Sequence, residues 1–269
     1  MSAQGLFPAL SAVFYALFLV VGVYAYVGLM RQIRARSPNA EGSAVRIFGW
    51  PDAVVALFLS GLFLQALTTV AEGTAKMETS HLIAGTLFTL GLVLSLAVFL
   101  LLRRFDLDSL GGFSKIGFGR TLVIATALIL FAYPIIVLAD VVTQHFLRST
   151  PSPQAIVEMF IGSGTFAQRV LIIFLAVAVA PLAEEFIFRL FLYGVMKRYF
   201  GKVAGVTVSA LLFAIVHGHL PSFAPLFVLG SCLAIAYEWS GSILVPMTMH
   251  ALFNAVTLVA LTFAGPTQS

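Results

Sequence analysis

The stretch Pro181-Leu182-Ala183-Glu184-Glu185-Phe186-Ile187-Phe188-Arg189 places three ionisable side chains inside a long apolar run. Each costs about 2.5–3.5 kcal/mol to insert into hydrocarbon unless it faces a polar interior or a partner. On a helix, Glu185 and Arg189 stand four residues apart, share a face and can pair. Glu184 is turned about 100° from Glu185 and is not consumed by that pair. One carboxylate is then held by an arginine, and the other is free to act as a general base. Further along, Phe213-Ala-Ile-Val-His217 sets a phenyl ring beside an imidazole, and His250-Ala-Leu-Phe-Asn254 projects a ring and an amide from one helical face. At 1.5 Å per residue from the basic ends of their helices, Glu184, His217 and His250 lie about 18, 21 and 12 Å deep, with Asn254 one turn further. Glu184, Glu185, His217, His250 and Asn254 can therefore converge in one pocket. Such a set suits hydrolysis. Glu184 would take a proton from a water that His217 positions, while His250 and Asn254 donate to the oxyanion of a tetrahedral intermediate. Glu184, His217 and His250 could equally hold a divalent metal such as zinc that activates the water. The residues leave both versions open, with a metal or with none.

The elements that must position these groups follow from composition. The chain is 60% hydrophobic and 10% charged, with a mean hydropathy of +1.04. Soluble domains carry about 25% charged residues, so the expectation is an all-α, polytopic transmembrane helix bundle. A span needs about 20 apolar residues. Eight candidates meet or approach that length, at about 7–30, 52–71, 81–102, 121–143, 170–196, 203–218, 222–238 and 242–264. Spans 1–4 occupy 1–150, and spans 5–8, with every motif above, occupy 151–269. The first run is too long for a signal-peptide core, so it is expected to stay as a span.

Charge gives the orientation. The loops after spans 1, 3 and 5 hold Arg31, Arg34, Arg36 and Arg46, then Arg103, Arg104, Lys115 and Arg120, then Lys197, Arg198 and Lys202. The opposite side holds Lys76, Arg148 and Arg169. The first set is placed in the cytoplasm by the positive-inside rule, and the net charge of +4 reports topology, not nucleic-acid binding. The single cysteine, Cys232, excludes an intramolecular disulfide and a cysteine-based metal site. His81 and His145 fall at interfaces, His219 at a span end, and Asp140 near the external end of span 4. Pro246 is placed to bend span 8. Glu238 and Trp239 suit an interface anchor. Stretch 154–168 is too mixed to span and suits the interface.

The series Glu184-Glu185-x-x-x-Arg189, Phe213-x-x-x-His217 and His250-x-x-x-Asn254 resembles the CAAX protease and bacteriocin-processing family of intramembrane endopeptidases, over roughly residues 170–258. The resemblance implies Glu184 as catalytic base, His217 as its water-holding partner, His250 and Asn254 as oxyanion site, and Glu185, Arg189 and Phe213 as support. It implies a membrane-anchored protein or peptide substrate; the expected location is a bacterial plasma membrane, with the endoplasmic reticulum as the counterpart in a eukaryote. Two other readings stay open: a proton or ion relay in a transporter, and a non-catalytic immunity protein. The crowding of polar groups into spans 5–8, with no counterpart in 1–4, argues against the inverted repeats common in transporters.

Overall fold

A computed structural model describes residues 3–36, 48–71, 78–147 and 155–264. The protein is all-helical among these residues. Its helices are α1 (Ala3–Ala35), α2 (Trp50–Ala71), α3 (Thr79–Leu102), α4 (Leu107–Gly111), α5 (Phe118–Leu147), α6 (Ala155–Ile161), α7 (Phe166–Val216), α8 (Phe223–Ser240) and α9 (Leu244–Ala264). Helices that are apolar all round suit hydrocarbon, where every backbone polar group must be satisfied within the segment. Large apolar side chains accordingly face outward, among them Phe14, Leu17 and Tyr24 on α1.

Among the described residues, six helical stretches are long and apolar enough to cross a membrane, where eight spans were expected. The difference lies in two places. The described side chains of α2 cover Trp50–Gln65 of the second expected span. The path Phe166–Val216, 51 residues and about 77 Å long if straight, holds both the fifth and the sixth expected span. It is not straight. Gly201 adopts φ 82, ψ 172, a left-handed conformation open to glycine and costly for other residues, and there the chain doubles back. The Ser209 hydroxyl on the returning limb donates to the Phe188 carbonyl on the outgoing limb at 2.8 Å.

The outgoing limb of α7 is the axis of the bundle. Eight consecutive residues, Phe186–Tyr193, are all buried. The core around them runs from Tyr26 on α1 to Met249 on α9, so residues before and after 150 share it. α8 approaches the returning limb closely at Gly230, where a Cβ would meet the Ala210 Cα and the Phe213 ring at 3.2 Å. α1 is fastened to α5 by Tyr26, whose hydroxyl donates to the Leu128 carbonyl at 3.0 Å.

The basic loops converge on one face. Glu238 accepts from Lys197 at 2.7 Å and from the Tyr193 hydroxyl at 2.7 Å, with Lys202 at 3.5 Å. Trp239 donates from its indole nitrogen to Gln32 at 2.9 Å. Glu238 is thus the hub of an ion network, beyond the interface anchor expected of it. Arg103 pairs with the wholly buried Asp52 at 3.1 Å. The 105–119 segment forms α4, capped by the Asp106 carboxylate, which accepts from the Asp108 backbone N–H at 3.1 Å. Of the opposite face, α6 packs Met159 and Phe160 against Ile172 and Leu258. Pro246 sits in the first turn of α9, where its missing N–H is tolerated. Arg46, Lys76, Arg148 and the 149–153 turn lie outside the described residues.

Candidate active site

The paired glutamates stand in a short α-helical turn, Ala180–Glu185, between two π-helical stretches, Leu175–Val179 and Phe186–Tyr193. Such insertions are rare and cluster at functional sites. Here the sequence supplies a cause. The Ala180 N–H bonds to the Leu175 carbonyl, five residues back. In that register the next donor belongs to residue 181, which is proline and has none. The Ala176 carbonyl is left over, and Asn254 Nδ2 on α9 donates to it at 2.7 Å.

This arrangement predicts a coupling. Asn254→Ala removes the side-chain donor from a half-buried carbonyl at the cavity wall and costs about 1 kcal/mol. In a Pro181→Ala background the restored N–H satisfies Ala176, so the same change costs less. Melting midpoints of the four proteins in detergent measure the difference.

The two carboxylates have opposite environments. Glu185 is wholly buried. Its Oε1 accepts from Arg189 Nη1 at 2.9 Å and from His250 Nδ1 at 3.0 Å. Arg189, also wholly buried, donates from Nη2 to the Gly230 carbonyl at 3.2 Å and lies 4.3 Å from the centre of the Phe213 ring. The close approach at Gly230 brings that carbonyl within reach. Glu184 keeps 23% of its side chain exposed, and its Oε2 lies 3.9 Å from His217 Nε2 and 4.0 Å from His250 Nε2. Glu184 Oε2 has no hydrogen-bond partner among the described groups.

Proton positions on the rings follow from their partners. His217 Nδ1 faces the Phe213 carbonyl at 2.7 Å. A carbonyl only accepts, so Nδ1 carries the hydrogen and the Nε2 of the neutral ring presents a lone pair toward Glu184. His250 Nδ1 donates to Glu185 for the same reason, and its Nε2 is directed to Glu184. Phe213, wholly buried, packs 4.7 Å from the His217 ring and 5.5 Å from the His250 ring, centre to centre.

Glu184, His217, His250 and Asn254 line one cavity of about 630 Å³, bounded by α3, α5, α6, α7, α8 and α9. Glu184 and His217 also border a second, of about 500 Å³, between α2, α3 and α7. Asp140, set aside in the sequence as interfacial, lines the first cavity. Its place near the end of an apolar helix gave no sign of that, and neither Ala176 nor Gly230 could be singled out, because each acts through a carbonyl. His81 and His145 are exposed. His219 bonds Ser222 Oγ at 2.7 Å in the break before α8.

The fit to a metal is poor. Among the described residues, no group of three His, Cys, Asp or Glu side chains is placed to hold one. Tetrahedral zinc with bonds of about 2.0–2.2 Å brings neighbouring ligand atoms to about 3.4 Å, and both Nε2–Oε2 separations are wider than that. Two hydrogen bonds of about 2.8 Å meeting at a water near a right angle span such a gap.

Comparison with known proteins supplies an independent line. Residues 166–256 match the family described as type II CAAX prenyl endopeptidase Rce1-like. The chain is 29% identical over 93 residues to the membrane-embedded CAAX protease MroQ of Staphylococcus aureus, covering 32% of this chain and 38% of that protein. It is 34% identical over 96 residues to the uncharacterised protein YpbD of Bacillus subtilis, covering 34% of this chain and 46% of that one. The matches thus span less than half the length of either relative. No solved structure matches the chain significantly.

Proposed function

Since residues 166–256 of this multi-pass membrane protein belong to the Rce1-like family of type II CAAX prenyl endopeptidases, we propose that the chain hydrolyses a peptide bond in a membrane-associated protein or peptide, with Glu184 as general base. The observation that carries the reading is the contrast within the glutamate pair. Glu185 is bound on one oxygen by Arg189 and His250, whereas Glu184 faces the cavity with two imidazoles at 3.9 and 4.0 Å.

Water donates one hydrogen to Glu184 Oε2 and the other to His217 Nε2. As the substrate carbonyl settles beside them, Glu184 takes the first proton and the water oxygen bonds to the carbonyl carbon. The negative charge that moves to the carbonyl oxygen needs a donor. His250, as an imidazolium held through Nδ1 by Glu185, offers Nε2–H. In that state Glu184, Glu185, Arg189 and His250 sum to no net charge, which an apolar surrounding favours. Asn254 has a second amide hydrogen besides the one given to Ala176, and this can join. When the intermediate collapses, the C–N bond breaks and protonated Glu184 returns its proton to the leaving nitrogen.

The metal-free version is the one taken, on the spacing of the nitrogens. Cleavage of a membrane-anchored peptide by the purified protein in detergent is expected to survive prolonged chelation and to gain nothing from added zinc. Activity lost with chelator and restored by zinc would replace this version with a metalloprotease.

A further inference from the structure

The face on which the cavity opens can be read from which part of each helix lines it. α3 contributes His81 to Leu90 and then runs on to the Arg103 loop; α5 leaves that loop and contributes Tyr133 to Asp140, from its middle onward. On α7 the lining residues 175–184 precede the turn at Gly201 with Lys197 and Lys202. On α9, which begins where Ile243 N–H bonds the Gly111 carbonyl of the basic face, they are His250 to Leu261. On each of these helices the lining lies in the part away from the basic loops. Toward those loops, the path from Glu184 is filled by the buried block Phe186–Tyr193 and closed by the Tyr193–Glu238–Lys197 network.

Basic loops stay in the cytoplasm. We propose that polypeptide reaches Glu184 from the outer face of the membrane, so that the substrate is a segment of an exported or membrane-anchored protein exposed on that side. The catalytic part of this inference rests on the function proposed above; the sidedness does not.

Cysteine accessibility separates the two. Cys232 is buried and is replaced by alanine. Single cysteines are then set at Thr86 and Thr257, which line the cavity without a part in the chemistry, and at Lys115 on the basic face. Each is treated with a membrane-impermeant maleimide in right-side-out and in inverted vesicles. Labelling of Thr86→Cys and Thr257→Cys in right-side-out vesicles, with loss of the Lys115→Cys signal there and its return on inversion, is the expected result. Failure of both cavity cysteines to react from the outer side overturns the proposal, whatever they do from the other. A pair of membrane-anchored reporters, with the same peptide placed outside or inside, adds the chemistry. Cleavage of the outer reporter alone agrees, and cleavage of the inner one alone overturns it. Outward labelling with neither reporter cleaved leaves the sidedness standing and removes the hydrolase reading instead.

Discussion

Replacing Glu184 with glutamine is expected to lower the rate of peptide cleavage by about 10²–10⁴-fold, the usual contribution of a positioned general base. Glutamine keeps the shape and one acceptor but cannot take the proton. The fold should not register the change, because Glu184 Oε2 has no protein partner to lose and removal of a charge from apolar surroundings is not a cost. The measurement is cleavage of a membrane-anchored peptide by both proteins at matched concentration, with their melting midpoints in detergent. A variant that cleaves within a few-fold of the parent would remove Glu184 from the chemistry. One that melts much lower would show that its carboxylate holds the helices together.

Arg189 is expected to act in the opposite way. Arg189→Met leaves Glu185 as a charged carboxylate in a site with no exposure, and breaking one side of a buried pair costs about 3–5 kcal/mol. The melting midpoint should fall sharply. Adding Glu185→Leu removes the stranded charge and should restore most of the lost stability, since apolar replacements of a buried pair are often neutral. Activity should not return with it. His250 loses the acceptor on its Nδ1 and with it the orientation of Nε2 toward Glu184. A double variant as stable and as active as the parent would reduce the Glu185–Arg189 pair to structural support alone.

The pairing of Glu185 with Arg189 was legible because helix geometry fixes what lies four residues away. Glu185 with Arg189, and Phe213 with His217, needed no knowledge of the partner helices. The link from His250 to Glu185 joins residues 65 apart in sequence, and no local spacing encodes it. Asn254 was legible as a polar group on the correct face, but not its engagement with Ala176, which depends on Pro181 falling where the π-helical register needs a donor. The reversal between the fifth and sixth expected spans was legible as well. Lys197, Arg198 and Lys202 marked it in the sequence, whereas the single backbone conformation that makes it, at Gly201, did not show in the apolar pattern. The wide separation of Glu184 from the two Nε2 atoms, which disfavours a shared metal, is a property of the packing between three helices and is invisible in composition.

That reversal at Gly201 also orders the steps of biosynthesis. Glu184 and His217 lie on the two limbs of one hairpin and can meet as soon as that hairpin enters the bilayer. His250 and Asn254 arrive on α9, which leaves the ribosome afterwards. Until α9 docks, Glu185 lacks the His250 donor and the Ala176 carbonyl lacks Asn254, so the proposed base is in place before the groups proposed to hold the oxyanion. On the function proposed above, the site is assembled only when α9 docks, so catalysis would follow helix packing and not precede it.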